Sequence, residues 1–375
     1  MRIVIDARII QFGGVYSYTR ALVRAISKID KNNQYLIIYD AAHGKLNLQQ
    51  ANVEEFVIHS DNPYKWLYWN KTKLPRLINE FDADIYHSLK QVTNFQTNAK
   101  TIFTIHSAYP FFYPQYLNLQ EKLYWVPMYR RVARHADGII SVSHTDAANL
   151  ARFIPDLRHK LHITQLAADE RFSPVDDPNA VAQVKRKLNL PDRFMLYVGT
   201  FYPIKNVTTV VEVFRQIRNE HGQDIKLVLV GRQGWGSDAV LELIKKYGLG
   251  EHVVLCGNQF EHLPHIYTLA RLFLFPTYYE SWGIPPLEAM SCGTPVVASN
   301  GGAIPEVLGE AALLSAPDDI AGLTHDCLRV LNNNETRDAL IQSGFRQSKR
   351  HTWDHCAKRT ISVYEELRRM AVQSP

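Results

Sequence analysis

The sequence predicts an α/β protein made of two doubly wound domains in tandem. Three observations lead there. Short apolar runs alternate with longer stretches of helical period along the chain. The runs are apolar throughout rather than at every second residue, as in parallel sheets covered on both faces. The alternation restarts after residue 170, and 375 residues suit two domains with a core each.

In the first half, Arg2–Ile5 reads as a buried strand. A glycine loop at Gly13-Gly14 follows, then a helix over Tyr18–Ile29 with Leu22, Val23, Ile26 and Ile29 at helical spacing. Tyr35–Tyr39, Glu55–Ile58, Ile85–His87, Thr101–Ile105 and Gly138–Val142 supply further strands. Ala168–Pro178 is polar and carries proline, which puts a domain boundary there and gives domains of 1–170 and 171–357. In the second half, Phe194–Val198, Lys226–Val230, Val253–Leu255, Leu272–Phe275 and Thr294–Ala298 read as strands. Val207–Arg218 and Ser237–Tyr247 lie between them as helices. Asp354–Met370 forms a long amphipathic helix with a stripe of Ala357, Ile361, Tyr364 and Leu367. It packs on its own domain or reaches back to the first.

Composition narrows the function classes. Hydrophobic residues at 46% and charged residues at 21% exclude a disordered or fibrous chain. Cys256, Cys292, Cys327 and Cys356 form no CxxC pair, so a reducing, cytoplasmic setting fits better than a disulfide framework or a zinc ribbon. No apolar run is long enough to span a bilayer, and the first residues read as a strand rather than a signal peptide. Residues 1–170 hold 20 Lys and Arg against 15 Asp and Glu, and the rest hold 22 against 22. That excess is too small for a dedicated nucleic-acid binder but suits an anionic substrate or membrane surface. The histidines and cysteines form no metal cluster, and neither a Walker loop nor a nucleophile elbow is present.

The richest segment is Pro276–Ser299, PTYYESWGIPPLEAMSCGTPVVAS. A strand ends before it, a loop carries Glu280, Ser281, Trp282 and Gly283, and Pro285-Pro286 open a helix after Ile284. Helix N-termini favour anions such as phosphate. Carboxylates cannot ligate a phosphate, so Glu280 and Glu288 are suited to accept hydrogen bonds from sugar hydroxyls. Taken singly, Glu280 could equally be a cap and Glu288 a solvated face residue.

The whole block resembles the E-x7-E segment of retaining glycosyltransferases of family four, which have the GT-B fold of two Rossmann-like domains facing across a cleft. It implies that Ser281, Trp282, Gly283, Ile284 and Glu288 line the donor site, with Trp282 standing where that family usually has Phe. The resemblance continues in Val198–Asn206, VGTFYPIKN, similar to the family's VGTxEPRKN. It implies that Lys205 binds the donor diphosphate beside Thr200, with Arg232 of VGRQGWG assisting. Thr200 and Ile204 replace arginines common in relatives. Asn258, in the loop after the third strand of this half, falls where the family wraps the nucleobase. Gly13 and Gly14 match its Gly-Gly loop, and His106 its VHD histidine near sugar and acceptor, with Ser107 in place of Asp. Taken alone, a lysine, an arginine, a histidine or a glycine pair at such places is ordinarily structural.

The resemblance therefore implies hexosyl transfer from a nucleotide-sugar donor, with retention and no metal or other cofactor. Lys205, Glu280 and His106 are the catalytic candidates. The text looks most like bacterial mannosyltransferases of surface polysaccharide assembly, hence GDP-mannose as donor. A UDP-sugar donor, a GT-B nucleotide-sugar epimerase and a non-enzymatic sugar-nucleotide-binding scaffold are the alternatives. The expected acceptor is a saccharide or lipid-linked saccharide. Trp66-Leu67-Tyr68-Trp69 among Lys65, Lys71, Lys73 and Arg76, and residues 122–134, combine aromatic and basic groups. They suit either peripheral contact with the inner face of a membrane or ordinary packing with a basic edge. The family also places the end of the last helix, from about 358, back on the first domain.

Overall fold

The computed structural model describes residues 1–8, 13–41, 45–59, 66, 68–90 and 97–373, with the side chains of 371–373 excepted. Lys65 and Leu67 of the aromatic-basic segment lie outside the described residues. The chain divides into two units, Met1–Leu166 with Thr352–Pro375, and Ala167–His351. The sequence reading had put these divisions near residues 170 and 358.

The first unit holds a seven-stranded sheet. Its strands are β1 Arg2–Asp6, β2 Gln34–Asp40, β3 Val53–Ile58, β4 Ile85–Ser88, β5 Lys100–Ile105, β6 Gly138–Ser141 and β7 Leu161–Ile163. They run in the order β3-β2-β1-β4-β5-β6-β7, and every described pairing is parallel. The inner strands are buried along nearly their whole length, which explains their continuous apolar runs. At the edge, β3 alternates exposed and half-buried residues before Ile58 closes it. The three residues of β7 are all half-buried, so no apolar run marks that strand in the sequence.

The second unit holds a six-stranded parallel sheet. It contains β8 Phe194–Val198, β9 Lys226–Val230, β10 Val253–Gly257, β11 Leu272–Phe275, β12 Val296–Ser299 and β13 Ala312–Ser315. The order is β10-β9-β8-β11-β12-β13. The short edge strand β13 has only Ala312 buried and was not marked in the sequence either.

Both sheets reverse strand order at one place, between β1 and β4 in the first and between β8 and β11 in the second. In open parallel sheets, loops leaving the carboxyl ends on either side of such a reversal diverge and leave a crevice for ligands. The loops after β8 and β11 carry Lys205 and Glu280. The loops after β1 and β4 carry Arg8 and Leu89.

The closing helix, Trp353–Gln373, belongs to the first unit and packs against its first helix, Gly14–Ile29. Its buried residues, among those described, are Trp353, Cys356, Ala357, Thr360, Val363, Tyr364 and Leu367. Ile361, expected in that stripe, is only half-buried. Thr360 takes the inward place because its hydroxyl donates to the Cys356 carbonyl at 2.9 Å, which satisfies it inside the helix. Leu367 sits over Gly138, where an added Cβ would come within 2.7 Å of its Cδ1.

Candidate functional site

In the second unit the chain leaves β8 through Gly199 and Thr200 and reaches Lys205 in the short turn Pro203–Lys205. Asn206 follows in the left-handed conformation and fixes the entry to the helix Val207–Arg215. Its side-chain amide donates to the Pro317 carbonyl at 2.9 Å, and its Oδ1 accepts from Thr209 at 2.9 Å. The Ile204 carbonyl accepts from the Tyr278 backbone N–H at 2.9 Å and from the Thr277 hydroxyl at 3.0 Å. These bonds lash the β8 loop to the β11 loop across the reversal. The Lys205 ammonium there forms an ion pair with Oε1 of Glu280.

Two residues predicted to serve diphosphate and sugar therefore face each other, and both are mostly buried, with 25% and 15% of their side chains exposed. A lysine ammonium has three donors, so one bond to Glu280 leaves capacity for an anionic oxygen. The pair fixes the Lys205 ammonium at the reversal between β8 and β11.

Glu280 is held from behind by a loop that sequence reasoning did not single out. Its carbonyl accepts from the Ala303 backbone N–H at 2.7 Å. Gly302, at φ +61, lies so close that a Cβ would come within 2.2 Å of that carbonyl. At Gly301 a Cβ would meet the Thr277 and Tyr278 carbonyls at 2.5 Å. The Gly301-Gly302 pair, one residue beyond β12, was the available signal, since a glycine pair near a strand end admits close backbone approach.

The other donor-side candidates are arranged in layers. Gly231 lies against Gly199, where a Cβ would be 1.9 Å from the Gly199 carbonyl. Phe201 donates its N–H to the Arg232 carbonyl at 3.0 Å, so the Thr200 and Arg232 loops are brought together. Thr200 is half-buried and Arg232 exposed. Gly231 donates to Gly257 at 2.8 Å, which ties in the loop bearing the exposed Asn258. Gly283 caps the helix Ile284–Ser291, which starts at half-buried Ile284. Pro285 and Pro286 carry no N–H, so backbone donors in this first turn are fewer than an ordinary helix start offers. Ser281 is buried, and the Trp282 ring is turned inward at 2% exposure, edge-on to His351 at 4.9 Å. That ring is a packing element rather than part of the loop surface.

Glu288 is buried on the inner face of its helix and accepts from the Tyr267 hydroxyl at 3.0 Å. Burial raises its carboxyl to about 7, opposed by that hydrogen bond and by the nearby Arg171 charge. No described contact joins it to Lys205 or Glu280.

In the first unit, His106 stands at the end of β5, half-buried. Its Nε2 lies 2.7 Å from the Leu89 carbonyl. A carbonyl only accepts, so the neutral ring carries its proton on Nε2 and presents Nδ1 as an acceptor. Burial lowers its pKa to about 4, which keeps the ring neutral at pH 7. Tyr18 packs edge-on against it at 4.8 Å. Leu89 and Tyr18 thus orient the ring where Ser107 replaces the family's Asp. Ser107 is used otherwise: its carbonyl accepts from Tyr129 at 2.8 Å and its hydroxyl from the Tyr109 N–H at 3.2 Å. Asp146 fixes the next residue, accepting from the Ala108 N–H at 2.9 Å. The Ser143-x-x-Asp146 spacing of a helix cap could have flagged it, since Ser143 caps that helix through the Asp146 N–H.

Behind His106 runs a buried chain of hydrogen bonds. His87 lies 2.7 Å from the Tyr364 hydroxyl through Nδ1 and 2.9 Å from the Thr104 hydroxyl through Nε2. Tyr18 meets the same Thr104 hydroxyl at 3.1 Å. Gly13 and Gly14 are exposed at the start of the first helix, and Gly13 provides its cap without a side chain. Arg8 is buried at 2% exposure in an ion pair with Asp6, donates to Asn70 at 2.7 Å, and lies 4.5 Å from the Trp69 ring and 5.9 Å from Trp66. Among the described aromatic residues of that segment, Trp66 and Trp69 lie against Arg8, and Tyr68 is exposed at 61%.

Two family models match this chain, Glycosyltransferase Family 4 over residues 12–169 and Glycosyl transferases group 1 over residues 181–347. The chain belongs to these glycosyltransferases. It is 29% identical to the O-antigen chain mannosyltransferase B of Escherichia coli over 270 residues, which is 72% of this chain and 71% of that protein. Its fold is GT-B. The sucrose-phosphate synthase of Thermosynechococcus elongatus superposes with a TM-score of 0.79 at 21% identity, covering 99% of this chain and 100% of that one. Anabaena HepE, in complex with UDP and glucose, gives 0.76 at 16% identity, covering 99% of each chain. Among the described residues of this glycosyltransferase, no helix is long and apolar enough to cross a membrane, and no three His, Cys, Asp or Glu side chains gather as a metal site.

Proposed function

We propose that this glycosyltransferase moves a mannosyl residue from GDP-mannose to a hydroxyl of a saccharide or lipid-linked saccharide, with retention and without a metal. The observation that carries the reading is the Lys205–Glu280 pair at the reversal between β8 and β11. A cation there neutralises the diphosphate, and an adjacent carboxylate accepts from hydroxyls of the sugar beside it. In the reaction, the acceptor oxygen bonds to the anomeric carbon as the bond to the diphosphate breaks. The electron pair leaves with the diphosphate, which also takes the acceptor's proton on the same face. Lys205 and Arg232 stabilise the charge that develops, and preorganised donors of this kind are typically worth 10²–10³ in rate. Neutral His106 accepts from a hydroxyl through Nδ1 and orients it. Glu288 accepts from the ribose. Mannose as the sugar rests on the likeness to the O-antigen mannosyltransferase.

The test is a thermal-shift screen with GDP, UDP, ADP and TDP, run in EDTA and again with magnesium. A ligand at about 100 times its Kd adds roughly 2.7 kcal/mol. A GDP-selective shift in EDTA is expected. A UDP-selective shift would replace mannose with a hexose or N-acetylhexosamine carried on UDP, and a shift seen only with magnesium would overturn the metal-free reading.

A lipid-linked acceptor would bring the chain to a membrane surface. On the helix Leu119–His135, Leu119, Leu123 and Tyr124 are 71%, 70% and 51% exposed. Exposed Lys122, Arg130 and Arg134 share that helix. Apolar and cationic groups together suit an anionic headgroup layer at the inner face of the membrane. Cosedimentation with phosphatidylglycerol vesicles, but not with phosphatidylcholine vesicles, is expected. Binding to neither would remove the membrane from the proposal.

A further inference from the structure

Arg171 lies in the turn that opens the second unit, where its backbone N–H donates to Asp169 at 3.1 Å. Its guanidinium donates to the Phe260 carbonyl at 2.7 Å and sits 3.8 Å from the Phe260 ring centre and 4.6 Å from that of Phe172. Its Nε is buried without a hydrogen-bond partner among the described residues. Phe172 packs edge-on to Tyr267 at 5.9 Å, and the Tyr267 hydroxyl donates to Glu288. One arginine thus touches the loop after β10, two residues beyond Asn258, and acts on the carboxylate of the helix after β11. The groups acting on Glu288 are the Tyr267 hydroxyl, Arg171 and Asp169, with the Cys292 thiol nearby. Arg171 is the cation among them.

We infer that Arg171 is a positioning residue of the nucleotide site: its guanidinium bridges the Phe260 loop and the Phe172–Tyr267–Glu288 cluster and so sets how Glu288 meets the nucleotide. The inference rests on the donor-site reading above. An ionised carboxylate can accept from both ribose hydroxyls, whereas a protonated one spends an oxygen as a donor. Burial has already moved Glu288 to about 7, so loss of one favourable charge carries it across neutral pH. A surface arginine that merely packed against two rings would not couple nucleotide affinity to pH.

The test uses Arg171→Met, which keeps the length and apolar packing, beside Arg171→Lys and Glu288→Gln. Each is titrated calorimetrically with GDP and with UDP from pH 6.5 to 9, with melting curves to confirm folding. Arg171→Met should weaken binding about tenfold at pH 7.5, shrinking to about twofold at pH 9 as Glu288 ionises again. Arg171→Lys should recover most of the affinity at pH 7.5, and Glu288→Gln should bind weakly with no pH profile in this range. Wild-type affinity in Arg171→Met at pH 7.5, or one constant loss at every pH, would overturn the inference. A wild-type chain that binds neither nucleotide would overturn the donor-site reading itself, and the inference with it. Should Arg171→Met fail to fold, Arg171→Gln is read by the same criteria.

Discussion

Both units place an ion pair at the strand-order reversal, and they differ in how far it is buried and in the candidate residues beside it. In the second unit the groups at the reversal are ionic: Lys205 against Glu280, with Glu288 buried nearby. In the first, the Arg8–Asp6 pair at the reversal is fully buried, and the candidate site residue His106 is neutral on a carbonyl, with His87, Thr104, Tyr18 and Tyr364 in one buried chain behind it. Burial acts on both by the same rule, disfavouring the charged form, and the outcomes diverge by chemistry. The histidines become firmly neutral, with His87 lowered to about 3 and His106 to about 4. The Glu288 carboxyl is raised to about 7 and stands on the edge of losing its charge. A neutral acceptor suits a sugar hydroxyl, and a fixed cation suits a diphosphate. The division of labour proposed for the two units follows from that contrast.

The contrast breaks most visibly at Lys205. Lys205→Ala should lower turnover about a hundredfold or more while the protein melts close to wild type. Unchanged turnover would take the lysine out of the diphosphate site and leave the second unit no more ionic in function than the first.

Glu280→Gln should sharpen the comparison. It removes the negative partner and leaves the cation, so turnover should fall about tenfold while affinity for the nucleoside diphosphate holds or rises a few-fold. Equal loss of turnover and affinity would mean that Glu280 only aims Lys205 and does not serve the sugar.

The smallest effect concerns stability. The raised Glu288 carboxyl contributes stability that is full below about pH 4.5 and is lost as pH rises through about 7. The depressed His87 contributes stability present above about pH 6.5 and lost as pH falls towards about 3. Each changes by about 1.4 kcal/mol per pH unit within its window, so between pH 4.5 and 6.5 the two oppose each other. Glu288→Gln should therefore be more stable than wild type by about 3 kcal/mol at pH 8, with the gap closing as pH nears 4.5. Chemical unfolding of both proteins at pH 8, 6.5 and 5 measures it. A gap that does not change with pH would show that the buried carboxyl does not carry the difference, and the contrast between the units would lose its acidic half.

Much of this was legible without a structure. The continuous apolar runs placed the strands at the centre of both sheets, because burial on both faces leaves a pattern in composition. They missed β7 and β13, because edge strands of three or four half-exposed residues leave none. The glycine and proline punctuation located the β8 and β11 loops, since both residues constrain the backbone locally.

Local pattern could not say which distant groups meet. Lys205 and Glu280 are 75 residues apart, and they pair because β8 and β11 are neighbours in the sheet, a fact of strand order. Trp282 read as a ligand-side residue, and packing against His351 turned it inward. The tautomer of His106 depends on a carbonyl at the end of another strand. The closing helix joined the first unit because Tyr364 reaches His87 and Leu367 covers Gly138, contacts that no periodicity encodes. The sequence by itself determined where the central strands of both sheets run and which chemical groups are available, because each is set by a residue and its near neighbours. Only the tertiary structure decided their partners, their charge states and their direction, because each depends on what a distant segment brings within a few ångströms.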